Sequence, residues 1–188
     1  SSHPEAAQRQ QSQAIVDLMI PVVKGWLTET ANEVAYIGVQ VHGGMGFIEE
    51  TGAAQYLRDA RITPIYEGTT GIQANDLIGR KIAREGGATV KLIIAQMRDT
   101  ETALRQAGDA LLPVADGLAQ GIAAIESCVD YLLANYDRDI ATVSVGAVPF
   151  LKLMGIVCGG WQMGRAALVA QSKIAAGEGG DFYPAKII

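Results

Sequence analysis

Apolar residues between positions 111 and 132 recur at alternating steps of four and three, and this spacing constrains the fold most strongly. Such spacing places every member on one face of an α-helix, where they form a seam that packs in a bundle. The members are Leu111, Ala115, Leu118, Ile122, Ile125, Val129 and Leu132. A second amphipathic helix precedes this one, and Gly108 and Pro113 separate the two. The residues beyond position 87 are therefore predicted to form a helical bundle.

Proline and glycine divide the first part of the chain into further helices. Pro4-Glu5 favours a helix start, and Pro21 predicts the start of a second helix that ends at Gly43-Gly44. Residues 45–50 are predicted to form a loop. Thr51 is then predicted to cap a third helix, which Pro64 stops. The apolar residues of the second helix keep helical spacing, and they are Val22, Trp26, Val34, Ile37 and Val41.

A capping box is predicted at Thr70, with Gln73 three residues later, and it opens a helix that runs to about residue 83. Gly86-Gly87 marks its end. Asp137 is predicted to cap a later helix, and residues 150–174 to form the last long one. The sequence shows no convincing strand signal. The predicted fold is all-α, with one helical domain over residues 1–86 and a second helical bundle over residues 87–188.

Composition and charge exclude several classes of protein. Hydrophobic residues make up 49% of the chain and the net charge is −5, with no dense cluster of Lys and Arg. A nucleic-acid-binding surface is therefore not expected. Lys152 and Arg165 interrupt the longest apolar region, so no membrane span is expected. Cys128 and Cys158 lie far apart, which favours reduced thiols and a cytoplasmic location, with a disulfide as the less favoured alternative.

The ends of the chain suggest a piece of a longer protein. It opens with Ser1-Ser2 rather than methionine, and Lys186-Ile187-Ile188 closes it within the start of what resembles a new helix.

Glu67 is the first candidate for chemistry. It lies between Pro64 and a predicted helix start, with Gly68 next to it. Glycine lets the backbone bend closely around a ligand, so Gly68 is a candidate substrate-binding residue. A carboxylate at Glu67 can act as a general base if an apolar site raises its pKa. Taken alone, the tetrapeptide favours the alternative of a solvated loop glutamate.

A glycine-rich segment is the second candidate. Glycine occupies three of the four positions 43–46, shortly after Gln40, so the N–H groups of Gly43, Gly44 and Gly46 are accessible and a phosphate can approach. The segment matches neither a dinucleotide-binding fingerprint nor a P-loop. The alternative is a helix C-cap followed by a turn. His42 has no acidic or cysteine partner at metal-ligand spacing, so no metal site is expected.

Four motifs occur in an order and spacing that resemble the C-terminal helical domain of acyl-CoA dehydrogenases. They are Gln40-Val-His-Gly-Gly-Met-Gly-Phe47, Arg58-Asp-Ala-Arg61, Ile65-Tyr-Glu-Gly-Thr69 and Ile72-Gln73. The resemblance covers about residues 14–84, and the long helical tail resembles a subgroup with an added C-terminal helical domain. That subgroup is linked to short or methylthio-substituted acyl-CoA substrates.

The resemblance implies an FAD-dependent oxidation of an acyl-CoA to a trans-2-enoyl-CoA. Glu67 matches the base that removes the α-proton, and its backbone N–H would bind the thioester oxygen. Gln40, Gly43 and Gly44 match residues that contact the flavin nucleotide bound by a neighbouring subunit, and Thr69 matches a flavin-contacting threonine. Many members have glutamine where this chain has Gly71, so that contact is not carried over.

The resemblance also implies a homo-oligomer, a dimer or tetramer, with an electron-transfer flavoprotein as the electron acceptor. The family's N-terminal and middle domains are not represented, so the piece alone is expected to be inactive. Two alternatives stay open: a helical oligomerisation or binding module, and a relative of the flavoproteins that respond to DNA alkylation. The acidic balance weighs against the latter.

Overall fold

The computed structural model describes residues 4–186, and within that range the chain is helical with no strand. The all-α prediction is therefore confirmed. The helices are α1 (Ala6–Val41), α2 (Gly44–Phe47), α3 (Ala53–Arg61), α4 (Thr70–Asp76), α5 (Ala88–Gln106), α6 (Leu112–Asn135), α7 (Ile140–Val145) and α8 (Ala147–Ala175). A π-helical turn, Leu77–Ile82, and a 3₁₀ turn, Ala83–Glu85, continue α4. Further 3₁₀ turns are Glu49–Thr51, Asp109–Leu111 and Pro184–Lys186. Ile187 and Ile188 of the predicted terminal helix lie outside the described residues.

The predicted helix start at Pro21 is wrong, because α1 is 36 residues long and continues through this residue. A proline inside a helix removes one hydrogen bond and costs about 3 kcal/mol. Pro21 is buried together with Leu18, Val22 and Gly25, all on one face of α1. Burial of this face against the core outweighs the local cost.

The predicted loop over residues 45–50 is also wrong in part. The short helix α2 and a 3₁₀ turn occupy most of it. Thr51 does not cap α3, since its hydroxyl donates to the carbonyl of Met45 at 2.8 Å. Gly52 is the capping residue, with a left-handed φ of 76°. A left-handed residue is cheap for glycine, so the backbone can turn there without a side-chain cap.

Two predicted caps are displaced along the chain. The cap of α4 is Thr69 rather than Thr70, with the Ile72 N–H donating to its hydroxyl at 3.5 Å. The cap of α7 is Asp139 rather than Asp137, and the Thr142 N–H donates to its carboxylate at 3.1 Å. The Thr142 hydroxyl also donates to this carboxylate, and this bond, together with the weaker effect of the N–H bond, lowers the pKa of Asp139 below its ordinary value. Sequence patterns locate a helix start only to within a few residues.

The predicted α6 seam is confirmed, because all seven members are buried. They pack in one core cluster to which α1, the turn after α4, α5, α6 and α8 all contribute. Close contacts join α1 to α8: Trp26 lies against Gly155 and Gly159, and Leu151 lies against Gly25. The glycine pair thus permits tight helix packing, as its four-residue spacing indicates.

Helix α8 alone, among the described residues, is long and apolar enough to cross a membrane by length and composition. Its buried residues, including Leu151 and Met154, belong to the common core. A helix buried in a protein core can have the same length and composition, so these two properties of α8 are weak evidence for a membrane span.

One face of α1 carries apolar residues that the described chain leaves exposed. They recur at steps of four, three, four, seven, three and four, which is the spacing of a helix-packing seam. This set, the α1 stripe, consists of Val16, Ile20, Val23, Leu27, Val34, Ile37 and Val41. The last three belong to the helical spacing noted in the sequence, and none of them enters the core.

Candidate active site and nucleotide-binding segment

Glu67 lies in the connection between α3 and α4, in an unusual backbone conformation. Its φ is 54°, and it is the one non-glycine residue with positive φ among residues 4–186. The next residue, Gly68, has φ 89°. A left-handed conformation costs a residue with a side chain roughly 1–2 kcal/mol. Such strain persists where the surrounding structure enforces it, and it is concentrated at functional sites.

The side chain of Gln73 holds this connection from the first turns of α4. Its amide Nε2 donates to the Glu67 carbonyl at 3.3 Å. A Cβ on Gly68 would lie 2.7 Å from the same nitrogen. The positive φ favours glycine at position 68, and a side chain there would also displace the Gln73 amide. The predicted pairing of Gln73 with Thr70 in a capping box is wrong, since this amide serves Glu67 instead.

Helix α1 fixes the same connection from its other side. Lys24 Nζ donates to the Thr63 carbonyl at 2.8 Å and lies 6.0 Å from the centre of the Tyr66 ring. Asn32 Nδ2 donates to the Ala60 carbonyl at 3.0 Å. These hydrogen bonds tie the end of α3 and the following turn to α1, so the Glu67 connection is not a free loop.

The Thr70 hydroxyl completes these ties, because it donates to Glu29 Oε1 at 2.5 Å. None of the α1 partners was identified from the sequence. Polar residues at positions 24, 28 and 32, spaced four apart on one face of α1, were the available signal.

The carboxylate of Glu67 points into open space. Glu67 and Gly68 line a shallow depression together with Ile72 and Arg80. No group among the described residues accepts a hydrogen bond from the Glu67 N–H. Within this chain the carboxylate and the N–H are therefore both available to a ligand, and only one wall of a pocket is present.

The glycine segment lies at the far end of α1. Gly43 has φ 59° and ψ −141°, a combination that only glycine adopts readily. A Cβ on Gly43 or Gly44 would meet nothing within 4 Å, and Gln40 is exposed. By contrast, Gly46 is packed so tightly that a Cβ would lie 2.2 Å from the Val39 carbonyl oxygen. The backbone at positions 43 and 44 is thus open to an approaching ligand.

The chain does not bring these two candidate regions together. Glu67, Gly68 and Thr69 share one connection, which is tied to α1 near Lys24. Gln40 lies sixteen residues further along the same helix, or roughly 24 Å at 1.5 Å per residue. One copy of the chain therefore presents two separate binding regions rather than one site.

Comparisons with known proteins assign the chain to a family. The model of the family described as "Acyl-CoA dehydrogenase, C-terminal domain" matches residues 4–82. A second model, described as "Acetyl-CoA dehydrogenase C-terminal like", matches residues 93–188. The chain belongs to the acyl-CoA dehydrogenase family.

Individual relatives agree with this assignment. The chain is 50% identical over 184 residues to a 3-methylmercaptopropionyl-CoA dehydrogenase from Ruegeria pomeroyi, a match covering 98% of the chain and 31% of that protein. It is 37% identical over 182 residues to the broad-specificity linear acyl-CoA dehydrogenase FadE5 of Mycobacterium tuberculosis, covering 91% of the chain and 29% of the relative. A butyryl-CoA dehydrogenase from Syntrophomonas wolfei is 34% identical over 98 residues, covering 50% of the chain and 16% of that protein. The chain thus spans about a third of the length of the first two relatives.

Proposed function

We propose that the chain is the C-terminal part of an FAD-dependent acyl-CoA dehydrogenase in which Glu67 is the catalytic base. The observation that carries the proposal is the enforced geometry of Glu67. This strained residue, in a connection held by Gln73 and α1, has an exposed side chain and an N–H with no acceptor among the described residues. Catalytic groups need such fixed positions, because orientation supplies much of the rate enhancement.

The same residue would serve two roles in one reaction. The Glu67 carboxylate takes a proton from the α-carbon of the acyl group, and its N–H donates to the thioester oxygen, on which negative charge develops. Gly68 lines the same shallow depression as Glu67, so its backbone would lie beside the acyl thioester. FAD, when bound, supplies the acceptor for the hydride that leaves the β-carbon. The product is a trans-2-enoyl-CoA.

The glycine segment would hold the nucleotide part of FAD. The open backbone at Gly43 and Gly44 suits a phosphate, and Gln40 offers an exposed amide beside it. Thr69 keeps its hydroxyl hydrogen available for the flavin, because the hydroxyl oxygen only accepts the bond that caps α4.

The separation of roughly 24 Å along α1 favours a flavin shared between copies, with each glycine segment serving the neighbouring subunit. Exposed apolar side chains surround this segment, with Met45, Phe47 and Tyr56 between 56% and 83% exposed. A second copy of the chain would cover them in a homodimer or homotetramer. The proposed location is cytoplasmic, and the proposed electron acceptor is an electron-transfer flavoprotein.

The substrate is proposed to be a short acyl-CoA, with a methylthio-substituted chain as the first candidate. The support is the Ruegeria relative, which is named for a methylthio-substituted substrate and matches nearly the whole chain at 50% identity. The protein should turn over 3-(methylthio)propionyl-CoA and butyryl-CoA faster than long-chain acyl-CoAs. Equal or faster turnover of long chains would contradict this assignment.

The isolated chain is expected to be inactive, because one wall of a pocket cannot hold FAD and acyl-CoA. The test adds FAD, short acyl-CoAs and an electron acceptor to the purified 188-residue chain, with the full-length protein as the control. Robust turnover by the chain alone would show that the absent segments are not needed. A full-length protein without flavin absorbance would contradict the dehydrogenase proposal itself.

A second candidate function is a helical binding module, and the α1 stripe is the observation that favours it. Its seven apolar residues expose on the order of 600 Å², at the upper end for a monomer surface. As a binding module the chain would bind an apolar partner protein on this stripe, whereas in a dehydrogenase as long as the relatives another part of the same polypeptide would cover it.

A hydrophobic dye distinguishes these cases. The dye should bind the 188-residue chain and not the full-length protein. Replacement of Val23 by aspartate should weaken dye binding to the chain and destabilise the full-length protein. Equal dye binding to both proteins would show instead that the stripe serves an external partner.

A further inference from the structure

The amide of Gln73 links α4 to the peptide that follows the proposed base. Its Nε2 donates to the Glu67 carbonyl at 3.3 Å, and Gln73 is partly buried. On the other side of the base, the Tyr66 N–H donates to the Ile62 carbonyl at 3.2 Å. The backbone is thus held immediately before and immediately after Glu67.

This arrangement controls two groups at once. A peptide unit is planar, so a bond to the Glu67 carbonyl fixes the rotation of the whole unit between Glu67 and Gly68. With the preceding residue also held, the carboxylate and the N–H of Glu67 keep a fixed relation to each other. The proposed reaction uses both groups on one substrate, the carboxylate at the α-carbon and the N–H at the thioester oxygen.

We propose that Gln73 is a positioning residue for the catalytic base, acting through the Glu67 carbonyl and not by contact with substrate. The proposal rests on the function proposed above for Glu67. The positive φ of Glu67 and Gly68 leaves the Glu67 carbonyl facing α4. The Gln73 amide that binds this carbonyl therefore lies close to Gly68, 2.7 Å from the position of a Cβ added there. Without the amide, the Glu67 carbonyl has no hydrogen-bond donor among the described residues, so nothing at this atom opposes a return to an ordinary negative φ.

Removal of the amide should therefore slow the chemical step more than it weakens substrate binding. In the full-length holoenzyme, Gln73→Met keeps the length of the side chain and removes its donor. Its kcat with a short acyl-CoA should fall by about tenfold or more, because small misplacements of a catalytic group have large effects on rate. Its KM should change by less than about threefold, since the acyl-CoA contacts remain.

An isotope effect separates positioning from general loss of structure. Proton removal from the α-carbon becomes more rate-limiting when the base is misplaced, so an α-deuterated acyl-CoA should give a larger isotope effect on kcat in Gln73→Met than in the unaltered enzyme. Gln106→Met is the matched control: Gln106 is exposed at the end of α5, and its replacement should leave kcat, KM and the isotope effect unchanged.

Two further variants, Gln73→Asn and Glu67→Gln, separate loss of folding and loss of the base from loss of positioning. If Gln73→Met yields no folded holoenzyme, Gln73→Asn is measured in the same way, because its side chain is one methylene too short to reach the carbonyl. Unchanged kcat and isotope effect in a folded variant would overturn the positioning role. Glu67→Gln is assayed beside them. If it is inactive while a Gln73 variant is fully active, only the positioning role of Gln73 is rejected. If Glu67→Gln is fully active, the role of Glu67 as the catalytic base is rejected.

Discussion

The close packing of α1 on α8 predicts that a side chain at Gly155 destabilises the fold. A Cβ added there would lie 2.2 Å from Cγ of Trp26 and 2.4 Å from Cδ2. These atoms belong to the inner part of the indole ring, so they cannot move unless the whole ring shifts. Gly155→Ala should therefore force α1 and α8 apart or displace Trp26 from its place beside the core.

The size of the effect follows from two opposing contributions. Alanine stabilises a helix interior by about 1 kcal/mol relative to glycine. Overpacking costs typically 1–3 kcal/mol, and a contact this short with a rigid ring favours the upper end. The expected net change is a loss of about 2 kcal/mol in the free energy of unfolding. For a chain of this length that corresponds to a fall of roughly 4–8 °C in Tm.

The assay is thermal and urea unfolding of the chain, followed by circular dichroism. Gly160→Ala is the matched control on the same helix, because a Cβ there would meet nothing within 4 Å. The control should gain up to about 1 kcal/mol from helix propensity alone. If Gly155→Ala were as stable as Gly160→Ala, the close packing of α1 against α8 would be refuted.

Two further predictions concern assembly and pH. Phe47→Asp in the full-length protein should lower the oligomeric state measured by light scattering, whereas Val145→Asp, at an equally exposed position, should not; both side chains are 83% exposed in this chain. Retention of the oligomer by the Phe47 variant would contradict the proposed interface. Burial raises the pKa of the Cys158 thiol to about 11 from an ordinary value of 9.0, so its neutral form contributes stability below pH 9 that is lost as pH rises towards 11. The free energy of unfolding of Cys158→Ala should therefore fall less over that interval than that of the unaltered chain, and equal slopes would show that the thiol is not buried.

Helical periodicity predicted the elements whose residues all face one core. The α6 seam is an example, since each of its members is buried. Gly86 and Gly87 also end their helix as expected, with φ of 59° and 77°. In both cases the local pattern and the tertiary packing favour the same conformation, so the sequence pattern suffices.

The prediction failed where packing outweighs a local preference. Pro21 would break an isolated helix, but its burial keeps α1 continuous. Val34 and Val41 keep helical spacing, yet both side chains stay mostly exposed in the described chain. Spacing shows which residues share a face and not which partner covers it.

The candidate site shows the same distinction. The motif around Glu67 was recognisable because its residues are contiguous. The bond from Gln73 to the Glu67 carbonyl was not, because it depends on the positive φ of Glu67. The anchor from Lys24 to Thr63 spans 39 positions, and no local pattern reports a contact of that range.

Rapid mixing of the full-length Glu67→Gln variant with a short acyl-CoA tests the central claim most directly. Glutamine preserves the size of the side chain and the backbone N–H but cannot accept the α-proton. The variant should bind FAD and acyl-CoA, and its flavin absorbance should not be bleached, while the unaltered enzyme loses that absorbance within one turnover. Bleaching of the variant's flavin at the unaltered rate would show that another group removes the proton.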